Sequence, residues 1–234
     1  MKNQYVADIN DFRKYGLIRA LFSDGALSCG IFWLLTTDDM RNDGQFLEYL
    51  DKPERWKKYD AELFHKLHGM VHTHRARTVT RVQQDAILPN ARYVDDFIAD
   101  NAAARTTLFQ DVLSRLHGID VVFFDPDNGL EIKSRPYGRM NSSKFLFFHE
   151  VKQSYQFGHS LLIYQHFPRE ERQGYMKKRV TQLKQATDGS TIFSFATSNV
   201  CFLLIAQAKH HETLKNGIEL VRQRWGTQFD VATY

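Results

Sequence analysis

Apolar and polar positions follow two patterns along this chain, and each pattern predicts a different kind of element. Apolar residues at helical spacing indicate amphipathic helices, whereas short continuous apolar runs are typical of strands buried on both faces of a sheet. The predicted helices are "INDFRKYGLIRALFSDG", "KKYDAELFHKLHGMVHTH", "AAARTTLFQDVLSRLHG", "PREERQGYMKKRVTQLKQAT" and "KHHETLKNGIELVRQRWG". The predicted strands are "ALSCGIFWLLTT", "RTVTRVQ", "IDVVFFDPDNG", "SKFLFFHEV", "HSLLIYQHF", the two runs of "STIFSFATSNVCFLLIAQA", and "FDVATY".

The order of these elements predicts the fold class. Strands that alternate with helices, most of them apolar throughout, favour an α/β fold with a largely parallel sheet. The two strands joined at Ser198–Asn199 have too short a connection for a parallel crossover, so they are expected to form an antiparallel hairpin. We predict one Rossmann-like three-layer α/β domain over residues 1–234, with a mostly parallel mixed sheet, the hairpin near the C-terminus and a helical insertion around residues 45–76.

Polar residues collect where three of the predicted strands end. Ligands of open α/β sheets bind outside the carboxyl ends of the strands. The loops after "GIFWLLTT", "VVFFD" and "LLIYQ" carry Thr37, Asp38, Asp39, Asn42, Asp43 and Gly44, then Asp125, Asp127 and Asn128, and then Gln165 and His166. We expect these loops to line one crevice. Asp125 is a strong candidate, because a carboxylate at the end of a buried strand is costly unless it is used or well hydrogen-bonded.

Composition narrows the setting but names no function. The chain has 234 residues, of which 43% are apolar and 25% are charged, as in an ordinary globular protein. No apolar run reaches the roughly 18 residues of a membrane span, and the N-terminal segment is too polar for a signal peptide. Cys29 and Cys201 lie in apolar runs, which suits reduced core residues. We expect a cytoplasmic protein with no membrane partner.

The net charge of +4 is mildly basic, and part of it is concentrated in one predicted helix. The segment "PREERQGYMKKRVTQLKQ" holds six Lys or Arg residues against two Glu residues. Basic patches attract phosphate backbones, so nucleic acid is a possible partner. A solvated helix face is the alternative interpretation of the same residues.

Three segments resemble one family of enzymes. "ADINDFRKYGLIRAL" is an acidic–Lys–aromatic helix before the first strand, "FFDPDNG" contains the Asp-Pro half of an Asp-Pro-Pro-Tyr motif, and "FLLIAQAKHHETLKNGIELVRQRW" is a late strand that runs into a helix. In these features the chain resembles the Rossmann-like methyltransferases, most closely those that methylate an adenine N6 of large-subunit ribosomal RNA. The segments "DPDNGLE", "SSK" and "YQH" also resemble an uncharacterised family of bacterial and phage-associated proteins.

The resemblance implies a cofactor, an activity and a set of site residues. The cofactor would be S-adenosylmethionine, and the activity would be methylation of nucleic acid. The residues bordering the cofactor would be Lys14, Asp38, Asp43 and Gly44. The residues holding the target amine would be Asp125, Asp127 and Asn128, with Lys144 and His166 near the substrate. No metal ligand belongs to this set.

Two departures from the family pattern keep another function open. The first strand ends in "WLLTTDDMRNDG", where Gly44 replaces the usual glycine-rich turn. Asp127–Asn128 replaces Pro–Tyr, so the ring that stacks on the target base would have to come from Tyr137 or Phe124. A methyltransferase fold that has lost its cofactor and serves as a binding protein is therefore an alternative.

The Asn128–Gly129 pair supports a different enzyme class. Asn-Gly between extended runs is a strong hairpin signal, and pairing "VVFFDPD" with "LEIKSRP" would bring Asp125, Glu131 and Lys133 together. Such a set is typical of Mg²⁺-dependent nucleases. Pro126 opposes this interpretation because it removes a ladder donor where the hairpin needs one.

Histidines concentrate in "HKLHGMVHTH", which contains His65, His68, His72 and His74. His68 and His72 are four residues apart and would share a helix face, as metal ligands often do. No Glu lies between them to act as the base of a zinc-hydrolase motif, so we interpret the segment as an adventitious metal-binding helix.

Overall fold

The computed structural model describes residues 1–39 and 44–234. Asn42 and Asp43, which the sequence places in the crevice, lie outside the described residues. The helices are α1 (Ile9–Leu21), α2 (Pro53–Trp56), α3 (Ala61–His68), α4 (Val79–Gln84), α5 (Ala102–Arg115), α6 (Phe148–Gln156), α7 (Arg172–Ala186) and α8 (His211–Trp225). The strands are β1 (Cys29–Phe32), β2 (Ala91–Val94), β3 (Val121–Phe124), β4 (Gly129–Leu130), β5 (Phe145–Leu146), β6 (Ser160–His166), β7 (Thr191–Ala196), β8 (Val200–Ala206) and β9 (Asp230–Thr233).

Seven strands form the central sheet in the order β2-β1-β3-β6-β8-β7-β9. The first four strands are parallel to one another. Strand β8 runs antiparallel to both β6 and β7, and β9 runs antiparallel to β7. The predicted mixed α/β sheet with an antiparallel hairpin near the C-terminus is thus confirmed. Because the four parallel strands share a direction, the loops after β1, β3 and β6 emerge at one edge of the sheet.

Alternation along the strands divides the core into two layers, because successive side chains of a strand point to opposite faces. Ile31 and Phe123 pack in one hydrophobic cluster with α1, α3 and α8. Phe32 and Phe124 pack in a second cluster with α5, α6 and α7. Helices therefore cover both faces of the sheet, as the three-layer prediction required. Among the described residues, no helix combines the length and apolar character needed to cross a membrane.

Two short segments differ from their predicted structure. "RTVTRVQ" forms helix α4 and not a strand, since Thr78 caps the helix through the Arg81 N–H and Val79 and Val82 are buried at helical spacing. "SKFLFFHEV" supplies only the two-residue strand β5 before α6 begins, because Glu150 accepts the Phe147 N–H as a helix-start contact. Strand β2, at the sheet edge, was not predicted. The helices between β1 and β2 extend to Gln84, beyond the predicted insertion.

The hairpin predicted at Asn128–Gly129 is wrong. Both edges of β3 are already paired, with β1 and with β6, and β4 pairs in parallel with β5. Gly129 has φ +99°, and a Cβ there would lie 2.5 Å from the side chain of Gln165 on β6. The glycine therefore permits a close approach of the loop to β6 and does not turn the chain back along β3.

Candidate functional site

Asp8 caps the N-terminus of helix α1, and the buried face of this helix carries Asp11 and Lys14. The Asp8 carboxylate accepts hydrogen bonds from the N–H groups of Asn10, at 2.8 Å, and Asp11, at 3.0 Å. Because Asp8 takes the capping role, the Asp11 side chain is available to a neighbour one turn along the helix, Lys14.

Lys14 joins α1 to the end of β3 through two carboxylates. Its Nζ lies 2.6 Å from Asp11 Oδ1 and 2.7 Å from Asp125 Oδ2, and all three side chains are buried. The second oxygen of Asp11 accepts the Tyr15 hydroxyl at 2.8 Å and the Ala7 N–H at 3.1 Å. One ammonium thus holds two buried carboxylates. We call these three charged residues the lysine cluster.

Burial and charge act in opposition on this cluster. Burial disfavours the ammonium of Lys14, but attraction to Asp11 and Asp125 outweighs it, so the pKa of Lys14 is raised. For Asp125 burial is the larger effect, and it raises the pKa of that carboxyl against the attraction of Lys14. Asp125 is therefore a carboxylate whose charge is only partly compensated.

Asp127 links the ends of β1 and β3. Its Oδ2 accepts the Thr36 hydroxyl at 2.8 Å, and its Oδ1 lies 2.8 Å from the amino nitrogen of Met1. That nitrogen also donates to the carbonyl of Leu34, at 3.1 Å, and to the carbonyl of Asp125, at 2.8 Å. The N-terminal residue therefore occupies the space between the carboxyl ends of the two strands.

These groups line a cavity of about 260 Å³ at the carboxyl edge of the sheet, which we call the acidic cavity. Its carboxylates are Asp8, Asp11, Asp125 and Asp127, and its aromatic side chains are Tyr5, Phe46 and Tyr164. The other lining residues are Met1, Asn10, Lys14, Gly44, Pro126, Asn128 and His166. Phe46 is 66% exposed at this site, which is unusual for so large an apolar side chain.

The acidic cavity has a surplus of negative charge. Four carboxyl groups face two cations, Lys14 and the amino group of Met1. Burial, and then repulsion by Asp11, raises the pKa of Asp8 to about 7, so this carboxyl changes charge near neutral pH. A half-open site rich in acceptors and poor in cations favours a ligand that donates hydrogen bonds, and it repels a phosphate group.

The structure brings six of the predicted site residues together. The residues that line the acidic cavity are Lys14, Gly44, Asp125, Asp127, Asn128 and His166. His166 lies exposed at the rim, at the end of β6. Gln165 lies beneath the loop that follows β3, where its amide donates to the Asn128 carbonyl at 3.1 Å and accepts the Leu130 N–H at 2.9 Å.

Two of the described predicted residues lie outside the acidic cavity. Asp38 is exposed, and its carboxylate accepts the Gln4 N–H at 3.2 Å. Lys144 ends a short 3-10 turn and is half-buried, and its carbonyl accepts the Asn128 N–H at 2.9 Å. It therefore supports the loop through its backbone only. Asp43 lies outside the described residues.

Neither of the two rings suggested for base stacking lines the acidic cavity. Phe124 is fully buried on the opposite face of the sheet, 6.0 Å from the rings of Phe32 and Phe109. Tyr137 packs against Phe147, away from the acidic cavity. Tyr5, Phe46 and Tyr164 line the cavity instead. The spacing of Asp8, Asp11 and Lys14 on one helix face could have indicated the buried cluster, whereas no local signal distinguishes Phe46.

The residues of the nuclease interpretation are not assembled. Asp125 lines the acidic cavity, whereas Glu131 and Lys133 line a separate depression next to α7. His68 and His72 have ring centroids 4.4 Å apart, and burial together with His72 lowers the pKa of His68. Across residues 1–39 and 44–234, no three His, Cys, Asp or Glu side chains are arranged to hold a metal ion.

The residues around the end of β1 do not fit S-adenosylmethionine. Buried Trp33 and Leu34 follow the strand where a glycine-rich turn would let backbone approach the cofactor. Gly44 does have φ +78°, but a Cβ there would lie 2.6 Å from the Tyr5 ring and 2.7 Å from the Gln4 carbonyl. The space beside this glycine is therefore filled by the N-terminal segment of the chain itself.

Fold and site together define an α/β protein with an acidic, aromatic-lined cavity at the carboxyl edge of its sheet. No family model matches the chain, and no curated protein does. Among solved structures it is similar to the crystal structure of protein LPL1258 from Legionella pneumophila str. Philadelphia 1, of family-model DUF519. The identity is 10% and the TM-score 0.45, over 98% of this chain and 96% of that chain. A likeness of this degree assigns neither ligand nor activity.

Proposed function

We propose that the acidic cavity binds the amino-bearing edge of an unpaired adenine or cytosine, and that the protein is a methyltransferase-related binding protein for nucleic acid. The observation that carries this proposal is the combination of buried carboxylates with aromatic rings in one small cavity. Carboxylate oxygens accept the hydrogen bonds of an exocyclic amine, and aromatic rings stack on the face of a base.

The dimensions of the cavity favour a base over a complete cofactor. Its volume of about 260 Å³ lies below the roughly 300–1,000 Å³ of sites that enclose drug-sized ligands. Asp125 uses one oxygen on Lys14, and its other oxygen accepts no hydrogen bond from the described residues. That oxygen is the best-placed acceptor for a ligand amine.

Phe46 supports the same conclusion from the apolar side. It is anchored by its carbonyl, which accepts the Ile9 N–H at 3.1 Å, while its ring remains mostly in solvent. Stacking a base on such a ring contributes about 1–3 kcal/mol and tolerates any base. The stacking therefore supplies affinity, and the carboxylates supply the preference for an amine.

The charge of the cavity predicts which bases are rejected. Uracil, thymine and hypoxanthine present a carbonyl oxygen where cytosine and adenine present an amine. A carbonyl facing Asp125 leaves two acceptors opposed without a proton between them, which costs about 1–3 kcal/mol. Adenosine should therefore bind more tightly than inosine, and cytidine more tightly than uridine.

Calorimetry with these four nucleosides in the presence of EDTA tests the proposal. We expect Phe46→Ala to weaken adenosine binding by roughly fivefold to 150-fold, as the loss of one stacking contact predicts. Phe157→Ala is the matched control, because Phe157 is also an exposed phenylalanine, at 44%, and lies outside the cavity. Equal affinity for adenosine and inosine would refute the amine-recognition proposal.

A second titration separates binding from methyl transfer. Because the described residues do not fit S-adenosylmethionine, we expect no binding of it at millimolar concentration in EDTA. Micromolar binding that is lost in Asp43→Ala would instead support the cofactor crevice predicted from the sequence and return methyl transfer to first place.

A further inference from the structure

A broad groove separates helix α7 from the two outer strands of the sheet. Its volume is about 1080 Å³, and it lies between the exposed side of α7 and the faces of β7 and β9. Small side chains, Ser194, Ala196 and Ala232, form its strand side. Ser194 is buried on this side, whereas Ala196 and Ala232 are half-buried.

Cations predominate in this groove, which we call the basic groove. Arg172, Lys177 and Lys184 of α7 line it, opposite Asp230 and the C-terminal residue Tyr234. Neither Lys177 nor Lys184 forms an ion pair with any described residue, whereas Lys66 and Lys215 each pair with a glutamate. Unpaired ammonium groups along a groove are typical of phosphate-binding surfaces.

The spacing of the cations suits a nucleic acid strand. Lys177 and Lys184 are seven residues apart, so they lie on one face of α7 about 10.5 Å from each other along the axis. In a strand whose bases are stacked as in a duplex, with a rise of roughly 3.4 Å per nucleotide, that distance spans about three nucleotides. Two phosphates of one strand could therefore contact both lysines without bending the backbone sharply.

The acidic cavity and the basic groove are connected. His166 lines both the acidic cavity and a depression that also contains Arg169, Arg172 and Ser198, together with Glu170 and Glu171. Arg172 and Ser198 in turn line the basic groove. The Glu171 carboxylate in the depression is engaged by the Gln173 and Gly174 N–H groups at the start of α7, each at 2.6 Å. The backbone amides thus partly offset its charge.

We infer that a single-stranded nucleic acid places one base in the acidic cavity and runs its phosphate backbone past His166 into the basic groove. This inference rests on the proposed function, because the cavity must hold the base. The carboxylates of the acidic cavity would bind the amine of the base and repel phosphate, whereas the lysines of the basic groove would bind phosphate. A single strand fits because a paired base could not enter the cavity.

Fluorescence anisotropy with a labelled oligodeoxyadenylate of about twelve nucleotides tests the inference. The variant Lys177→Gln/Lys184→Gln removes two phosphate contacts. At about 0.1 M salt its Kd should rise roughly 25-fold, and the slope of log Kd against log salt should fall by about 1.4. The matched control is Lys178→Gln, because Lys178 is exposed on the same helix but lines the separate depression.

Adenosine calorimetry with the same variant distinguishes the two proposals. Neither lysine lines the acidic cavity, so adenosine affinity should match that of the unaltered protein. If adenosine binds but the double variant retains full oligonucleotide affinity and salt dependence, the groove inference fails and the proposed function stands. If adenosine does not bind at all, the proposed function itself fails. Tighter binding of a matched duplex than of the single strand would also overturn the inference.

Discussion

Two charge clusters in this protein are both buried, but they differ in charge balance and in hydrogen bonding. Arg105 of α5 is fully buried and donates hydrogen bonds to both carboxylate oxygens of Glu150 on α6, at 2.6 and 2.9 Å. It also donates to the carbonyls of Ser142, at 2.9 Å, and Phe145, at 2.6 Å. In the lysine cluster, one ammonium faces two carboxylates, and the cluster borders a cavity.

The comparison shows that burial of a charge does not by itself indicate function. One cation and one anion balance at Arg105, their donors and acceptors are used, and both side chains are fully buried. The lysine cluster retains an excess carboxylate and an oxygen of Asp125 that accepts no hydrogen bond from the described residues. A carboxylate charge that is only partly balanced next to a cavity, and not burial alone, distinguishes the candidate site from a structural ion pair.

The largest effect is expected when the balanced pair is broken. Glu150→Gln leaves Arg105 buried without an anion, which should lower the free energy of unfolding by about 3–5 kcal/mol. Urea denaturation measures this loss. Arg105→Met/Glu150→Met removes both charges and should be less destabilising than the single change. A double variant as unstable as Glu150→Gln would show that the pair is not the cause.

The equivalent change in the lysine cluster should affect binding and leave stability nearly unchanged. Asp125→Asn removes a carboxylate acceptor, so adenosine affinity should fall by about 1.5–3 kcal/mol, or roughly 10- to 150-fold. Stability should change by less than about 1 kcal/mol, because Lys14 keeps Asp11 and burial already disfavours the charge of Asp125. Calorimetry and urea denaturation of one preparation check both values. Unchanged affinity with a large loss of stability would make this cluster structural as well.

A third effect concerns the pH dependence of stability at Asp8. Its folded pKa, about 7, exceeds the ordinary aspartate value of 3.8, so the folded protein binds an extra proton between these values. The Asp8 contribution to stability is therefore complete below about pH 4 and is lost as pH rises towards 7.

Asp8→Asn is the control for this pH effect, because asparagine caps a helix as well as aspartate does and does not titrate. The difference in unfolding free energy between the two proteins, measured in urea from pH 4 to pH 8, should change with pH in favour of the variant. Burial lowers the pKa values of His159 and His210, so these two histidines destabilise the folded state at acid pH in both proteins. Taking the difference between the two proteins cancels this contribution. A difference independent of pH would contradict the assignment.

Much of the architecture follows from patterns that extend over few residues. The uniformly apolar runs around β3, β6 and β8 are strands because no other element buries both of their faces. The convergence of Asp125, Asn128 and His166 follows from parallel strand direction alone. Predictions failed where local preference was weak, as in "RTVTRVQ", whose valines suit a strand but whose Thr78 cap begins a helix.

The composition of the acidic cavity could not be predicted in the same way. The Asn-Gly signal at Gly129 is strong locally, but β3 has no free edge to pair with, so the tertiary structure overrides the hairpin. Phe124 was a plausible stacking ring until alternation along β3 placed it on the opposite face. Phe46 precedes α2 in an irregular segment whose position depends on contacts with α1 and the N-terminal residues.

The sequence by itself determined most of the elements, the layered α/β class and the edge of the sheet where polar groups gather, because apolar periodicity and strand direction can be recognised over short stretches of chain. Only the tertiary structure decided that Lys14 joins Asp11 to Asp125, that N-terminal residues fill the space beside Gly44, and that a basic groove continues from the cavity. Those features depend on distances between segments far apart in the chain, which no short pattern encodes.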